Sequence, residues 1–190
     1  MKEQQLLING FELPAGQMRE YSGEMREYKV LTLWQPWATL LVYGIKKIET
    51  RPKPTSWTAE KGTYLIHAAQ KWTKEQEDIC LTEPFKSELD KLGYAPLYNR
   101  LPLGCIIGAV NVLGCHKITY CNSDDFVNEY AKIETGKIIN EPELSFGDYR
   151  AGRYAWLCEN HRVLKTPIPY KGGQGYYQKF NGDDSLIEYL

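Results

Sequence analysis

No stretch of this chain is apolar for long enough to cross a bilayer as a helix. The opening Met1-Lys2-Glu3-Gln4-Gln5 is polar, and the apolar stretch behind it is too short for a secretory signal. A soluble, cytoplasmic protein without membrane partners is expected. Cysteines are few: Cys80, Cys105, Cys115, Cys121 and Cys158 are odd in number and lack framework spacing, which argues against a disulfide scaffold. Most sit among apolar neighbours and are expected as buried thiols. Cys158 with His161 and the Cys115-His116 pair have ligand-like spacing but no second well-spaced couple, so no metal is expected. No Ser-His-Asp or Cys-His arrangement stands out as a nucleophile system. No cofactor motif is present either. Lys171-Gly172-Gly173-Gln174-Gly175-Tyr176-Tyr177 lacks the lysine-serine or lysine-threonine that a P-loop places after its last glycine.

Net charge is also small, −1 over 190 residues, so the chain as a whole is no polycation. Its distribution is uneven. Residues 44–74 hold seven basic side chains (Lys46, Lys47, Arg51, Lys53, Lys61, Lys71, Lys74) against Glu49 and Glu60, a surplus of five, which leaves −6 for the rest. A local positive field on an acidic body suits an anionic ligand at one face, and it equally suits a solvated lysine-rich surface. Hydrophobic residues make up 43%, enough for one core, and the fourteen tyrosines and five tryptophans favour sheets and stacking surfaces.

Along the chain, residues 1–28 read as an N-terminal extension carrying a short repeat, Met18-Arg19-Glu20-Tyr21 and Met25-Arg26-Glu27-Tyr28. Val30–Trp34 reads as a strand. Pro36 stands where a helix would begin and Gly44 where it would stop. A strand over Lys47–Arg51 would put Lys47, Glu49 and Arg51 on one face. Thr63–Ala69 reads as a central strand, and Thr73 with Gln76 as a capping box opening a helix to about Cys80. A further helical piece follows Pro84 and stops at Gly93. Gly104–His116 is a long apolar strand whose internal glycines predict bulges and sharp coiling. Ser123 would cap a short helix through Ala131, residues 132–150 read as loop, and Arg153–Asn160 with Val163–Ile168 as a hairpin across Asn160-His161. The sum is an α+β protein with a small β-barrel and flanking helices, its domain spanning 29–181 and a tail over 182–190.

Four groups of residues offer chemistry. A helix starting at Pro36, with Gln35 a poor cap, would leave backbone N–H groups for a phosphate or carboxylate beside Lys46 and Arg51; alternatively Gln35-Pro36-Trp37 is a tight corner with Trp37 in the core. Glu49 and Arg51 make either an internal salt pair or a ligand-reading pair, since guanidinium forks suit phosphates and guanine edges and carboxylates accept from exocyclic amines. His67 is either a hydrogen-bonded core residue or a ligand contact for which Ala68 leaves room, with Lys71 just beyond the strand end. The segment Lys171–Tyr177 is either a turn or a ligand-facing loop in which Gln174 and Tyr177 contribute.

These residues resemble the ASCH domain family. Leu33-Trp34-Gln35-Pro36-Trp37-Ala38 is followed by Gly44-Ile45-Lys46-Lys47-Ile48-Glu49-Thr50-Arg51, and Gly44, Lys46, Glu49 and Arg51 fill every fixed position of the family signature G-x-K-x-x-E-x-R. The resemblance continues through Ile66-His67-Ala68-Ala69, Gly104–Gly108, Gly152–Trp156, Pro167-Ile168-Pro169 and Gly173-Gln174-Gly175. It implies a PUA-like barrel with a cleft between the signature helix and the barrel. It also implies binding of RNA or a nucleotide, with DNA left open. Taken with the four groups above, the expected ligand contacts are Gln35, Pro36, Trp37, Lys46, Glu49, Arg51, His67, Ala68, Lys71, Lys171, Gln174 and Tyr177. Some ASCH-related proteins hydrolyse acetylated cytidine with a lysine, a threonine and a glutamate. Here the lysine is Lys46, the threonine position holds Glu49, and Asp124, Asp125 or Glu129 are candidates for the carboxylate. Lys46 and Glu49 are therefore the candidate catalytic residues, and a hydrolase or ribonuclease is the alternative to a binding module.

Overall fold

A computed structural model describes residues 7–8, 11–12, 25–52, 61–122, 129–172, 178–183 and 187–190. Gln174, Tyr177, Asp124, Asp125 and the expected cap Ser123 lie outside these residues. Two short strands, β1 (Leu7–Ile8) and β2 (Phe11–Glu12), pair with each other. The main sheet is built from β3 (Met25–Leu33), β4 (Ile48–Arg51), β5 (Gly62–Ala68), β6 (Cys105–Asn122), β7 (Tyr130–Ile133), β8 (Ile138–Ile139), β9 (Tyr154–Pro169) and β10 (Gln178–Asp183). Its order runs β10-β3-β5-β6-β7-β8, with β9 on β6 and β4 on β9. β3 and β5 are parallel, and the other pairs of this sheet are antiparallel. β3 crosses the expected boundary at residue 28, and β10 extends to Asp183, past the expected start of the tail.

β6 carries the curl. Its pairing with β9 shifts register between Ile106 and Gly108, Ala109 and Asn111, and Val112 and Gly114. The extra residues lie on β9 at the first two shifts and on β6 at the third, and such irregularities bend the paired strands, which lets one strand of eighteen residues serve three neighbours. At Gly108 an added Cβ would stand 2.6 Å from Val42 Cγ1 and 2.2 Å from the Arg162 carbonyl oxygen. The missing side chain is what lets the helix α1 (Trp37–Val42) lie against the sheet. Ala38, Leu41 and Val42 of α1 pack with Leu31, Tyr64, Ile66, Ile107 and Trp156 in the largest core. On the other side of α1, Leu40 packs with Phe85 and Leu89 of α3 (Phe85–Lys91), Cys80 of α2 (Lys74–Cys80) and Phe146. α2 opens with the Thr73–Gln76 capping box read from the sequence.

Three expectations are corrected. Arg153–Asn160 and Val163–Ile168 are one strand, β9, because both halves pair with β6; Asn160, at φ 48°, sits in a bulge rather than a turn. Ala131 lies in β7, not in a helix. Residues 132–150 are not simply loop: Ile133, Ile139, Phe146 and Tyr149 are buried, and a 3-10 turn spans Leu144–Phe146. The apolar residues of this segment are too widely spaced to show strand or helix periodicity, so its packing was hidden among polar neighbours.

Candidate functional site

The chain from β3 through α1 to β4 forms one wall of a cleft of about 630 Å3, and residues 145–148 with Arg153 form the other. α1 is a six-residue helix in which the second, third and fourth N–H groups have acceptors. The Ala38 N–H bonds to the Trp34 carbonyl, the Thr39 N–H to Gln35 Oε1 (3.1 Å) and the Leu40 N–H to the Pro36 carbonyl. Gln35, a poor cap by residue type, thus supplies an acceptor to the first turn, and the Ala38, Thr39 and Leu40 N–H groups are all satisfied within the protein. Gln35 is fully buried. Its Nε2 donates to the Pro102 carbonyl (2.9 Å), and its own carbonyl accepts from Gln76 Nε2 (3.0 Å). Pro36 is buried beside it. The glutamine is a lock between α1, α2 and the start of β6.

At the other end of α1, Gly44 adopts φ 71° and turns the chain so that Lys46 points back under the helix. Lys46 is 1% exposed. Its ammonium donates to the Ile48 carbonyl and to the Phe146 carbonyl (2.9 Å), and lies 3.5 Å from Glu49 Oε2. Glu49 Oε1 stands 3.0 Å from Arg51 Nε, and an Arg51 terminal nitrogen donates to the Thr32 carbonyl (3.0 Å). The three signature side chains therefore form a continuous ion-paired row along the cleft floor, two cations against one carboxylate. A buried charge is tolerated only when paired and hydrogen-bonded, and Lys46 satisfies both conditions within the protein.

The far wall is fastened to the same strand. Glu143 accepts from the Lys47 N–H (2.8 Å), the Ile48 N–H (3.0 Å) and the Tyr149 hydroxyl (2.9 Å). Burial, reinforced by this carboxylate, pushes the Tyr149 phenol far above its ordinary range, so it stays a donor. Asp148 donates its N–H to Thr50 Oγ1 (3.0 Å). Its carboxylate pairs with Arg150 and lies 3.3 Å from Arg153 Nε, which also donates to the Asp148 carbonyl (2.9 Å). The Arg150 guanidinium holds the Asp148 carboxyl below the usual carboxylate range.

Of the residues expected at the site, Trp37, Lys46, Glu49 and Arg51 line this cleft. Trp37 is half-buried, edge-on to Phe85 at 5.8 Å between ring centroids. Lys71 is exposed, its ammonium 5.2 Å from the ring centroid of Trp34, which lines the cleft. Ala68 is fully buried in the core under α1. His67 is buried behind β3, with Nδ1 3.0 Å from Thr32 Oγ1 and its ring edge-on to Tyr170. Burial pulls its pKa down to about 4, against a smaller raising effect of the Tyr170 backbone. The ring also closes on Gly172, where an added Cβ would stand 2.4 Å from it. Lys171 is exposed and is not among the cleft residues. Glu129 lines a separate adjoining hollow of about 410 Å3.

The sequence reading of site residues missed Thr32, Trp34, Asp148 and Arg153. Trp34 and Arg153 do stand in the stretches that carry the family resemblance. Asp148 lies in the segment read as loop, where only Phe146 and Tyr149 hinted at packing. Among the described residues, no group of three or more His, Cys, Asp and Glu side chains is placed to hold a metal ion. No described helix is long and apolar enough to cross a membrane.

Residues 31–168 match the family model of the ASCH domain. The chain is also similar to activating signal cointegrator 1 of Homo sapiens, at 37% identity, and to that of Mus musculus, at 29% identity, in each case over 143 residues. Those residues are 75% of this chain and 20% of each relative, so the matched stretch spans about a fifth of the length of these curated relatives. With the curled sheet, the flanking helices and the signature row in place, the chain belongs to the ASCH domain family and has its α+β, PUA-like fold.

Proposed function

We propose that this protein binds RNA through the cleft between α1 and residues 145–153. The observation that carries the reading is the composition of that cleft. Arg51 and Arg153 bring guanidinium groups to its two walls, Trp34 and Trp37 bring aromatic surface, and Lys46, Arg51 and Arg153 outnumber Glu49 and Asp148. A volume of about 630 Å3 suits one nucleotide rather than a duplex. Guanidinium groups recognise phosphate oxygens in pairs, and aromatic faces take bases. The signature residues then divide the work. Lys46 is the floor's internal tie, Glu49 orients Arg51 and offers its remaining acceptor capacity, and Arg51 with Arg153 meets the phosphate.

A hydrolase of acylated nucleosides is less well supported. The Lys46 ammonium is committed to two carbonyls and Glu49, and the nucleophile position holds a carboxylate already paired on both oxygens.

Fluorescence anisotropy with a short single-stranded RNA tests the binding reading. Two or three neutralised phosphates predict a slope of log K against log salt of about −1.4 to −2, and Arg153→Gln should make it shallower by about 0.7. A slope near zero, or an Arg153→Gln variant with unchanged affinity and slope, removes the cleft from the account.

A further inference from the structure

Trp34 sits at the junction of β3 and α1 and keeps 45% of its surface exposed, while Trp37, three residues on, is packed against Phe85. Its companion is Lys71, whose ammonium lies 5.2 Å from the ring centroid. Among the described residues Lys71 has no ion-pair partner, in contrast to every cation of the cleft floor and far wall. An exposed indole beside an unneutralised ammonium, at the mouth of a cleft lined with guanidinium groups, presents an apolar face and a positive charge side by side. That is the pairing of surfaces that a base and its phosphate present together.

We propose that Trp34 and Lys71 form a second subsite at the cleft mouth. An unpaired base stacks on the indole, and the Lys71 ammonium meets the phosphate that joins this base to the nucleotide inside. The inference rests on the RNA reading of the cleft and deepens it by naming the ligand class: a single strand of at least two nucleotides. A duplex is disfavoured because both faces of its internal bases are already covered by neighbours, which leaves Trp34 only the terminal pairs to stack against. A free mononucleotide fills the inner cleft and leaves the mouth empty.

The experiment measures anisotropy of a fluorescein-labelled single-stranded RNA with wild-type protein, Trp34→Ala, Trp34→Phe, Lys71→Ala and Arg153→Gln. Unlabelled nucleoside monophosphates serve as competitors, and the same strand annealed to its complement is the duplex probe. Trp34→Ala is expected to weaken single-strand binding about 5- to 150-fold, the range of losing one base stack. Trp34→Phe should retain most of the affinity, and Lys71→Ala should lose several-fold in a salt-dependent way. Trp34→Ala should raise the inhibition constants of the monophosphates by less than it raises the Kd of the single strand, and the duplex should bind more weakly than the single strand. Unchanged single-strand affinity in Trp34→Ala overturns the mouth subsite, as an aromatic rim serving a protein partner would give. If Arg153→Gln still weakens binding in that case, the cleft reading survives alone. Equal affinity for the duplex also overturns the subsite, and a wild-type protein that binds no RNA overturns both.

Discussion

On the cleft floor Lys46 donates to two backbone carbonyls, stands 3.5 Å from a carboxylate and is 1% exposed. At the mouth Lys71 is exposed, its ammonium lies 5.2 Å from a tryptophan ring centroid, and no carboxylate among the described residues pairs with it. The two lysines stand in one basic stretch of the sequence, yet the fold treats them in opposite ways. The floor lysine holds α1, β4 and the loop at Phe146 together; the mouth lysine remains available. The two arginines of the cleft stand between these extremes: Arg51 and Arg153 each meet a carboxylate, yet their side chains keep 23% and 21% of their surface exposed. A family signature can therefore mark the residues that build a site more strongly than those that meet its ligand.

The sharpest way to break this contrast is at Lys46. Lys46→Ala leaves Glu49 with Arg51 alone and two buried carbonyls without a donor. A loss of about 3–5 kcal/mol in folding stability is expected from urea denaturation. A variant with wild-type stability and no RNA binding would instead move Lys46 from the floor's framework to its ligand.

His67 sharpens the contrast from behind the floor. It is neutral in the folded protein because burial holds its pKa at about 4, below the unfolded value of 6.5. The unfolded chain binds the proton first as pH falls, so this contribution to stability is complete above pH 6.5 and is lost from there down to pH 4. Between pH 7.5 and 5 the loss should be about 2 kcal/mol relative to His67→Gln. Parallel stability curves for the two proteins would show that His67 is not held neutral.

Gln35 predicts a similar or smaller effect. Gln35→Ala removes the acceptor of the Thr39 N–H and the donor to Pro102, and should destabilise by about 1–3 kcal/mol with RNA affinity of the folded fraction unchanged. The smallest effect is expected at the far wall. Asp148→Asn removes a negative charge that now engages Arg153, and should tighten RNA binding a few-fold, most clearly at low salt. Weaker binding in that variant would mean that Asp148 itself accepts from the ligand.

Local chemistry made much of the fold legible. The Thr73–Gln76 box, Gly44, Gly93 and the glycines of β6 each mark a feature that depends on a few neighbouring residues, and each appears where the sequence places it. What was not legible depended on distant partners. Asn160-His161 resembles a turn until β6 is seen to pair with both sides of it. Gln35 is a poor cap by residue type, yet its side chain still reaches the Thr39 N–H because Pro102 and Gln76 fix its position. At the site, the signature side chains stand together on the cleft floor, while Asp148 was invisible because only the tertiary fold brings residues 145–148 opposite Thr50.

The division between floor and mouth is tested most directly by one double variant, Trp34→Ala with Lys71→Ala, measured for single-stranded RNA affinity and for its urea midpoint together. The account predicts binding weakened at least about tenfold with the midpoint unchanged. Unaltered affinity, or affinity lost only in step with stability, would contradict it.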